Sequence, residues 1–418
     1  MRPLVVAVHA RTGITALNVV TAALDADPRT AGTEVVFAPK LDAIGAAVAH
    51  GQSAGRPVLV AWSFYSGDAP WAEAELRRAR ALAPGARHVA GGVHATAEPE
   101  ATLRAGFDLV VRGEGESTFV ELVAALGERR SLPEIPGTSF LLDGVYTATG
   151  SAPRRPLDDF PAFNLRYGKW NPIELTRGCI YACSFCQTPF AFKARFRHRS
   201  VENVRRHVRA MVEQGARYAR FVTPTALSYG ASGEEPDLGQ VEALLAAVRS
   251  ELPAEGKLYF GSFPSEVRPE HVTPEALAVL RRYVDNDNLV IGGQSGSERV
   301  LAASHRGHGV AEVERAVRYA AEAGFRPDVD FLFGLPGETG DERRASLAFA
   351  EKLIGLGARV HNHSFMPLPG TPLSRARPEP LEPDVVSAMN RLESSGALYG
   401  QWRRQLLDAR ELVKRRGG

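Results

Sequence analysis

Thr176-Arg177-Gly178-Cys179-Ile180-Tyr181-Ala182-Cys183-Ser184-Phe185-Cys186 is the stretch from which the rest of the chain is read. It sets three cysteines at C-x3-C-x2-C spacing, directly after a short apolar segment, 173–175, that reads as a strand. The 418-residue chain has three Cys in all, so every thiol falls within eight residues. A disulfide scaffold spreads its cysteines along the chain, whereas crowding of this kind points to metal or redox chemistry. Three thiolates on one tight loop can each hold one iron of a cubane, because thiolate is the usual ligand of Fe–S clusters. With no fourth Cys, one iron lacks a protein thiolate, and an open metal position is where an exogenous ligand binds and reacts. Two other readings stand beside this one. A structural zinc site normally closes with four ligands, and His198 would complete C-x3-C-x2-C-x11-H, a spacing that matches no common zinc pattern. Three core cysteines clustered by chance are the other.

Outward from the cysteines, strand and helix signals alternate from 172 to about 372. Strands are expected at 173–175, 219–223, 257–262, 289–291, 328–334 and 359–366, with helices at 201–214, 238–250, 273–283, 310–323 and 346–356. Six such units are compatible with a partial (β/α)6 barrel whose strand carboxyl ends form one active face. A proline-rich strap, 367–383, leads to a C-terminal helical region, so the last domain boundary falls near 373. Upstream, 1–126 alternates in the same way, with strands at 4–8, 34–38, 57–63, 87–90 and 109–111. This pattern implies a doubly wound, Rossmann-like parallel sheet. In such sheets ligands sit beyond the strands' carboxyl ends, here the segments 9–13, 63–66, 91–96 and 112–116. The irregular stretch 127–170 reads as a linker holding a small hairpin that turns at Asp143-Gly144.

Bulk properties exclude several classes. Lys plus Arg total 50 and Asp plus Glu total 48, and a net charge of +2 gives no reason to expect a nucleic-acid or membrane partner. The basic end, 401–418, reads as a solvated helix face with a frayed tail. No apolar run is long enough for a membrane span or a signal peptide, so a cytoplasmic location is expected.

The cysteine spacing after a first barrel strand, with aromatic Phe185 before the third Cys, resembles the signature of the radical S-adenosylmethionine (SAM) superfamily. The resemblance implies a [4Fe-4S] cluster on Cys179, Cys183 and Cys186 whose open iron chelates the amino and carboxylate groups of SAM. An electron from the cluster then cleaves the sulfonium and releases a 5′-deoxyadenosyl radical. It also places the Phe185 backbone near the adenine. Gly292-Gly293-Gln294-Ser295-Gly296 resembles the family's Gly-x-(Glu/Gln)-Ser-Gly segment, where Gln294 and Ser295 offer neutral polar groups to a ribose hydroxyl or the SAM carboxylate. Asp330-Phe331-Leu332-Phe333-Gly334-Leu335-Pro336-Gly337-Glu338-Thr339 resembles its fifth-strand motif, and Met366-Pro367-Leu368-Pro369-Gly370-Thr371-Pro372 its sixth-strand exit. Taken alone, the first is a glycine-rich turn and Glu338-Thr339 a helix cap. One departure stands out. Where many members carry a Gly-Gly-Glu-like contact to the SAM amine, this chain has Phe221-Val222-Thr223-Pro224-Thr225, leaving Thr223 as the candidate.

A doubly wound domain ahead of such a barrel resembles the cobalamin-binding class of radical SAM proteins. Gly91-Gly92-Val93-His94-Ala95-Thr96 and the run from Asp108 to Glu116 carry that likeness. The implied corrinoid set is Ser63, Ser66, Gly91, Gly92, His94, Gly113, Glu114, Gly115 and Glu116. Paired glycines let backbone approach a large flat ligand. The Asp-x-His-x-x-Gly motif that supplies a lower cobalt ligand is absent, so a bound cobalamin lacks it unless His94 substitutes. A relict module that shapes the pocket and binds no corrinoid is the alternative. His361 and His363 share one strand face through the period of two and are candidate acid/base groups, or structural polar residues. Arg195, Arg197, His198 and Arg199 offer a basic stretch to an anionic ligand, or a solvated loop.

The implied function is cobalamin-dependent radical SAM chemistry on a small molecule. Its simplest form is methylation of an unactivated carbon, with cyclisation or rearrangement in the same class and a reductant such as flavodoxin or ferredoxin. A methylthiotransferase-like sulfur inserter is the second reading, although such enzymes need a second cluster and no cysteine remains for one. A non-catalytic corrinoid or Fe–S sensor is the third, and it would not cleave SAM.

Overall fold

The computed structural model describes residues 2–11, 13–132, 134–170 and 172–417. Thr12 of the predicted 9–13 loop, Pro133 of the predicted linker and Asn171 lie outside the described residues, as does the side chain of Arg416. Contacts divide the chain into two compact units, Met1–Trp170 and Asn171–Gly418.

The first unit is one seven-stranded sheet. Its strands are β1 (Leu4–Val8), β2 (Glu34–Ala38), β3 (Val58–Ser63), β4 (Arg87–Gly91), β5 (Leu109–Val111), β6 (Thr138–Leu142) and β7 (Val145–Ala148). They lie in the order β2-β1-β3-β4-β5-β6-β7, parallel from β2 to β5. Both faces are buried, which explains the unbroken apolar run of β1. Val5 and Ala7 pack with helices Ile14–Ala26 and Glu116–Glu128. Leu4, Val6 and Val8 pack with helices Leu41–Ser53 and Ala69–Leu82. The order 2-1-3-4-5 reverses between β1 and β3, the point where open sheets of this type hold ligands.

The expected linker is corrected here. The stretch 127–170 belongs to the first unit, because β6 and β7 extend the sheet as an antiparallel hairpin on β5. The expected small hairpin is present, but nothing local in a hairpin says which sheet edge it will join.

The second unit carries β8 (Ile173–Glu174), β9 (Thr176–Arg177), β10 (Arg197–His198), β11 (Tyr218–Val222), β12 (Lys257–Tyr259), β13 (Asn288–Gln294), β14 (Arg326–Phe333), β15 (Arg359–Ser364) and β16 (Leu398–Tyr399). Parallel pairing runs β8-β11-β12 and then β13-β14-β15-β16. A parallel bridge between Val267 and Ile291 links the two groups. The order follows the chain, as a partial (β/α)6 barrel requires. Three two-residue strands, β9, β10 and β16, lie outside the expected set. β16 adds a seventh position beside β15, within the stretch 373–418 expected to be strap and helix. Two residues between helices are too few to show a period. Helices begin at caps legible in the sequence. Ser200, Asp237, Thr273, Ser297 and Thr339 each accept a backbone N–H of the first turn. Helices Gly92–Ala97, Thr188–Phe192 and Glu298–Ala303 were not foreseen, each being shorter than two turns.

Candidate active site

The cysteine loop hangs from a small antiparallel ladder. Arg177 pairs with Arg197 and Thr176 with His198, which pins both ends of the loop. Gly178 holds φ +81°, and a Cβ there would lie 2.1 Å from the Arg195 carbonyl oxygen, so only glycine lets the chain pass. Cys186 N donates to Cys183 O at 3.0 Å, and Ser184 N donates to Ser304 O at 3.2 Å. Cys183 is buried, while Cys179 and Cys186 are half-buried. Burial pushes the Cys179 thiol up to about 11, with Cys186 and Cys183 adding like charge. Burial raises the Cys186 thiol as well. Thiols so placed keep their protons until a metal ion replaces them, which suits a ligand set for iron. His198 is no fourth ligand. Its Nδ1 meets Thr176 Oγ1 at 2.9 Å and its Nε2 meets Ala231 O at 3.0 Å, so both ring nitrogens are engaged.

A buried guanidinium reaches the cysteines. Arg306 Nη1 lies 3.6 Å from Cys183 Sγ, Nη2 donates to Gly292 O at 2.6 Å, and Nε donates to His308 Nε2 at 3.0 Å. Arg268 bonds the Arg306 carbonyl and Glu270, and stacks 3.5 Å over Tyr181 inside the cysteine loop. Glu266 faces the same place. A Cβ at Gly292 would sit 2.8 Å from Arg306 Nη2 and 3.1 Å from Glu266 Oε2. Burial pushes Glu266 up to about 7, Arg306 pulls it down, and the neighbouring Asp330 raises it.

Beside these groups lies a cavity of about 220 Å³. Its polar wall includes Glu266, Gln294, Asp330, His363 and Gln405, and its apolar wall Phe185, Leu332, Phe365, Met366 and Leu368. Gln294 enters it with φ +71°, an unusual conformation for a residue with a side chain. Phe185 packs on the cluster of Val300, Leu335 and Phe365. Thr223 and Ser295 do not line this cavity. The Thr223 hydroxyl donates to Thr225 O at 3.2 Å. Ser295 Oγ meets Ser346 Oγ at 3.0 Å and accepts from Ser297 N at 3.1 Å, which ties the glycine-rich turn to helix Gly340–Gly355.

β14 and β15 bring Asp330 opposite His361 and Leu332 opposite His363. His361 Nδ1 lies 2.8 Å from Asp330 Oδ1, and His363 Nε2 lies 3.9 Å from it. Burial alone would raise the Asp330 pKa, but these histidines hold it below the usual carboxylate range. His361 stacks on Tyr399 at 4.6 Å. The basic stretch divides. Arg197 and His198 form β10, and Arg199 is buried with Nη1 on Asn203 Oδ1 at 2.9 Å.

In the first unit the predicted corrinoid segments meet at the carboxyl ends of β1, β3, β4 and β5. Gly13 packs so closely that a Cβ would lie 1.9 Å from Ser63 O, and a Cβ on Gly92 (φ +86°) would lie 2.7 Å from Ser63 Oγ. Gly91, Gly113, Glu114 and Gly115 are half-buried there, and Gly113 N donates to Thr96 Oγ1 at 3.0 Å. Three members are more enclosed. Ser66, His94 and Glu116 are buried, with His94 Nδ1 on Ser66 Oγ at 3.1 Å. Gly13 and Gly92 thus let the loops close against Ser63, while a Cβ on Gly113 would meet nothing within 4 Å.

Sequence reading missed Glu266, Arg306 and Gln405 as site residues, and quoted Asp330 without giving it a role. A signal existed for Asp330. An aspartate at alternate positions with Asp328, inside an otherwise apolar strand, is a buried charge in need of partners. Glu266, Arg306 and Gln405 lie far apart in the chain and carry no local pattern.

Comparison with known proteins agrees with both halves. Residues 4–123 match the B12 binding domain and residues 173–350 the radical SAM superfamily. An uncharacterized methyltransferase of Pyrococcus horikoshii is 30% identical over 63% of this chain, which spans 58% of that protein's length. A tRNA-2-methylthio-N(6)-dimethylallyladenosine synthase of Sorangium cellulosum is 28% identical over 79% of this chain and 69% of its own. Among solved structures, the cobalamin- and [4Fe-4S]-bound methyltransferase TsrM of Kitasatospora setae superposes with a TM-score of 0.68 at 21% identity, covering 91% of this chain and 80% of that one. OxsB, a cobalamin-dependent SAM radical enzyme, superposes at 0.69 with 16% identity, covering 94% and 62%. At such identities the superpositions establish the fold. Among the described residues no helix is long and apolar enough to cross a membrane. The chain thus carries a segment matching the B12 binding domain, followed by one matching the radical SAM superfamily.

Proposed function

We propose that this chain reductively cleaves SAM at a [4Fe-4S] cluster on Cys179, Cys183 and Cys186, and uses cobalamin to methylate a carbon of a small-molecule substrate. A buried Arg306 beside Cys183, facing Glu266 across Gly292, carries this reading. When bound, the cluster supplies a single electron and the corrinoid a transferable methyl group. The chain's own residues do the binding. Each terminal nitrogen of Arg306 keeps a second N–H, and with Glu266 it presents opposite charges to one small volume. An amino-acid zwitterion fits that pair, its carboxylate on Arg306 and its ammonium on Glu266. Glu266 thereby supplies the amine contact that the missing Gly-Gly-Glu segment leaves open, in place of Thr223. Gln294 is left to serve ribose hydroxyls. Phe185, Leu332, Phe365, Met366 and Leu368 exclude water from one side of the cavity.

The strand ends beyond β1 and β3 suit the corrinoid, since the sheet order reverses there. A flavodoxin- or ferredoxin-like reductant completes the scheme. Sulfur insertion, suggested by relatives named as methylthio synthases, is the second reading, and the lack of any further cysteine weighs against it.

Anaerobic reconstitution with iron and sulfide, reduction, and an assay for 5′-deoxyadenosine after adding SAM test the proposal, with Cys183→Ala as control. Product from the wild type alone is expected. Failure to load a cluster overturns the reading, and sub-stoichiometric cobalamin uptake overturns its corrinoid half.

A further inference from the structure

Two histidines stand side by side on β15, their rings 4.2 Å apart, and their hydrogen bonds make them chemical opposites. Ser364 N donates to Gln405 Oε1 at 2.9 Å. A backbone N–H can only donate, so this contact fixes which end of the Gln405 amide is oxygen. The other end, Nε2, must then donate to His363 Nδ1, 3.1 Å away. His363 Nδ1 is therefore a bare acceptor, and the neutral ring carries its proton on Nε2, on the side of Asp330. A second proton on Nδ1 would face an N–H and is excluded. His361 is the reverse case. Its Nδ1 lies 2.8 Å from the Asp330 carboxylate and donates to it. Its Nε2 is left as a lone pair, and among the described residues it has no protein hydrogen bond.

We infer that His363, on the cavity wall and locked by Gln405, is a fixed Nε2–H donor of this site, while His361, outside the cavity lining, carries its proton on Nδ1 against Asp330. The inference deepens the function proposed above and rests on it for the claim that a ligand occupies this cavity. A ligand in the cavity offers a carbonyl or carboxylate oxygen to His363 Nε2–H. The titratable and charged groups around His361 are Asp330 on β14, Arg359 and His363 on β15, Tyr399 on β16, and Glu266 beyond Asp330. Asp330, His361 and His363 also offer metal-ligating atoms within 4.8 Å of one another. A metal there would need a bare Nε2 on His363, which the Gln405 bond denies. Gln405 is thus a positioning residue, acting through His363.

The test is a long-range 1H–15N spectrum of the full-length, histidine-labelled protein from about pH 5 to about pH 8, where imidazoles titrate. His361→Gln and His363→Gln identify the two signals, and each serves as check should the other misfold. His363 is expected to hold the Nε2–H form throughout. Gln405→Glu, whose carboxylate can accept from Nδ1–H, should bring a proton onto His363 Nδ1. Acetone, an acceptor, should shift the His363 signal and leave that of His361 in place. An Nδ1–H His363 in the wild type overturns the inference, as does a His363 signal that acetone leaves unmoved. The spectrum needs no SAM. The stated tautomer without 5′-deoxyadenosine would fail the proposed function alone, and 5′-deoxyadenosine with an Nδ1–H His363 would fail this inference alone.

Discussion

Replacing Gly178 by alanine should cost the chain its iron. The residue sits at φ +81°, where an L side chain costs roughly 1–2 kcal/mol. Its Cβ would lie 2.1 Å from the Arg195 carbonyl oxygen and 3.0 Å from that of Lys193, and real Cβ contacts under 3.0 Å are essentially never seen. Those oxygens belong to backbone and cannot rotate away, so the returning strand must move. Overpacking of this kind costs about 1–3 kcal/mol, which brings the total to roughly 2–5 kcal/mol. The strain falls between β9 and the first cysteine, so the loop should yield before the sheet does. Gly337→Ala is the control, because its φ of +76° carries the same backbone cost with nothing within 4 Å. Iron and sulfide per chain after anaerobic reconstitution, with a thermal melt of the same samples, form the assay. Gly178→Ala should load less than half the wild-type iron while Gly337→Ala loads fully. Full loading of Gly178→Ala with an unchanged melt would refute the reasoning.

Three further outcomes follow from named contacts. Burial pushes the Glu338 carboxyl up to about 7, against the pull of Gly334 N–H and Arg343. Its folded form therefore binds a proton more tightly than the unfolded chain does, and stability should fall as pH rises from about 4.5 through about 7. Glu338→Gln keeps an acceptor for Gly334 and should flatten urea midpoints between about pH 5 and about pH 8 by up to ~3 kcal/mol; an unaltered slope would contradict this. Asp328, almost fully buried, joins Arg326 at 3.3 Å, Arg359 at 3.0 Å and Asn288 at 2.8 Å. Asp328→Asn takes the charge off a buried carboxylate whose arginine partners stay 42% and 38% exposed, and should cost about 1–3 kcal/mol in denaturant melts, with no measurable loss counting against the pairing. Gly92→Ala, with its Cβ 2.7 Å from Ser63 Oγ, should lower cobalamin uptake measured by absorbance, whereas Gly144→Ala in the β6–β7 turn, with nothing within 4 Å, should not.

Much of this molecule was legible in one dimension. Local periodicity and caps placed β1, β2 and β5 at their observed bounds and most helices within a few residues, because side-chain spacing and the first-turn N–H groups are properties of short segments. The three cysteines were equally plain, since all of them sit within eight residues. What failed to show was contact between distant segments. The β6–β7 hairpin looked like linker until β5 supplied its edge, and Leu398–Tyr399 became a strand because β15 had one to spare. His361 and His363 were visible as a pair on one face, yet their roles are set by Asp330 and Gln405, 31 and 42 residues away. Spacing along a chain determines which groups share a face. Which nitrogen of an imidazole carries the proton is decided by the partner that folding brings to the other one, and that partner is chosen only in three dimensions.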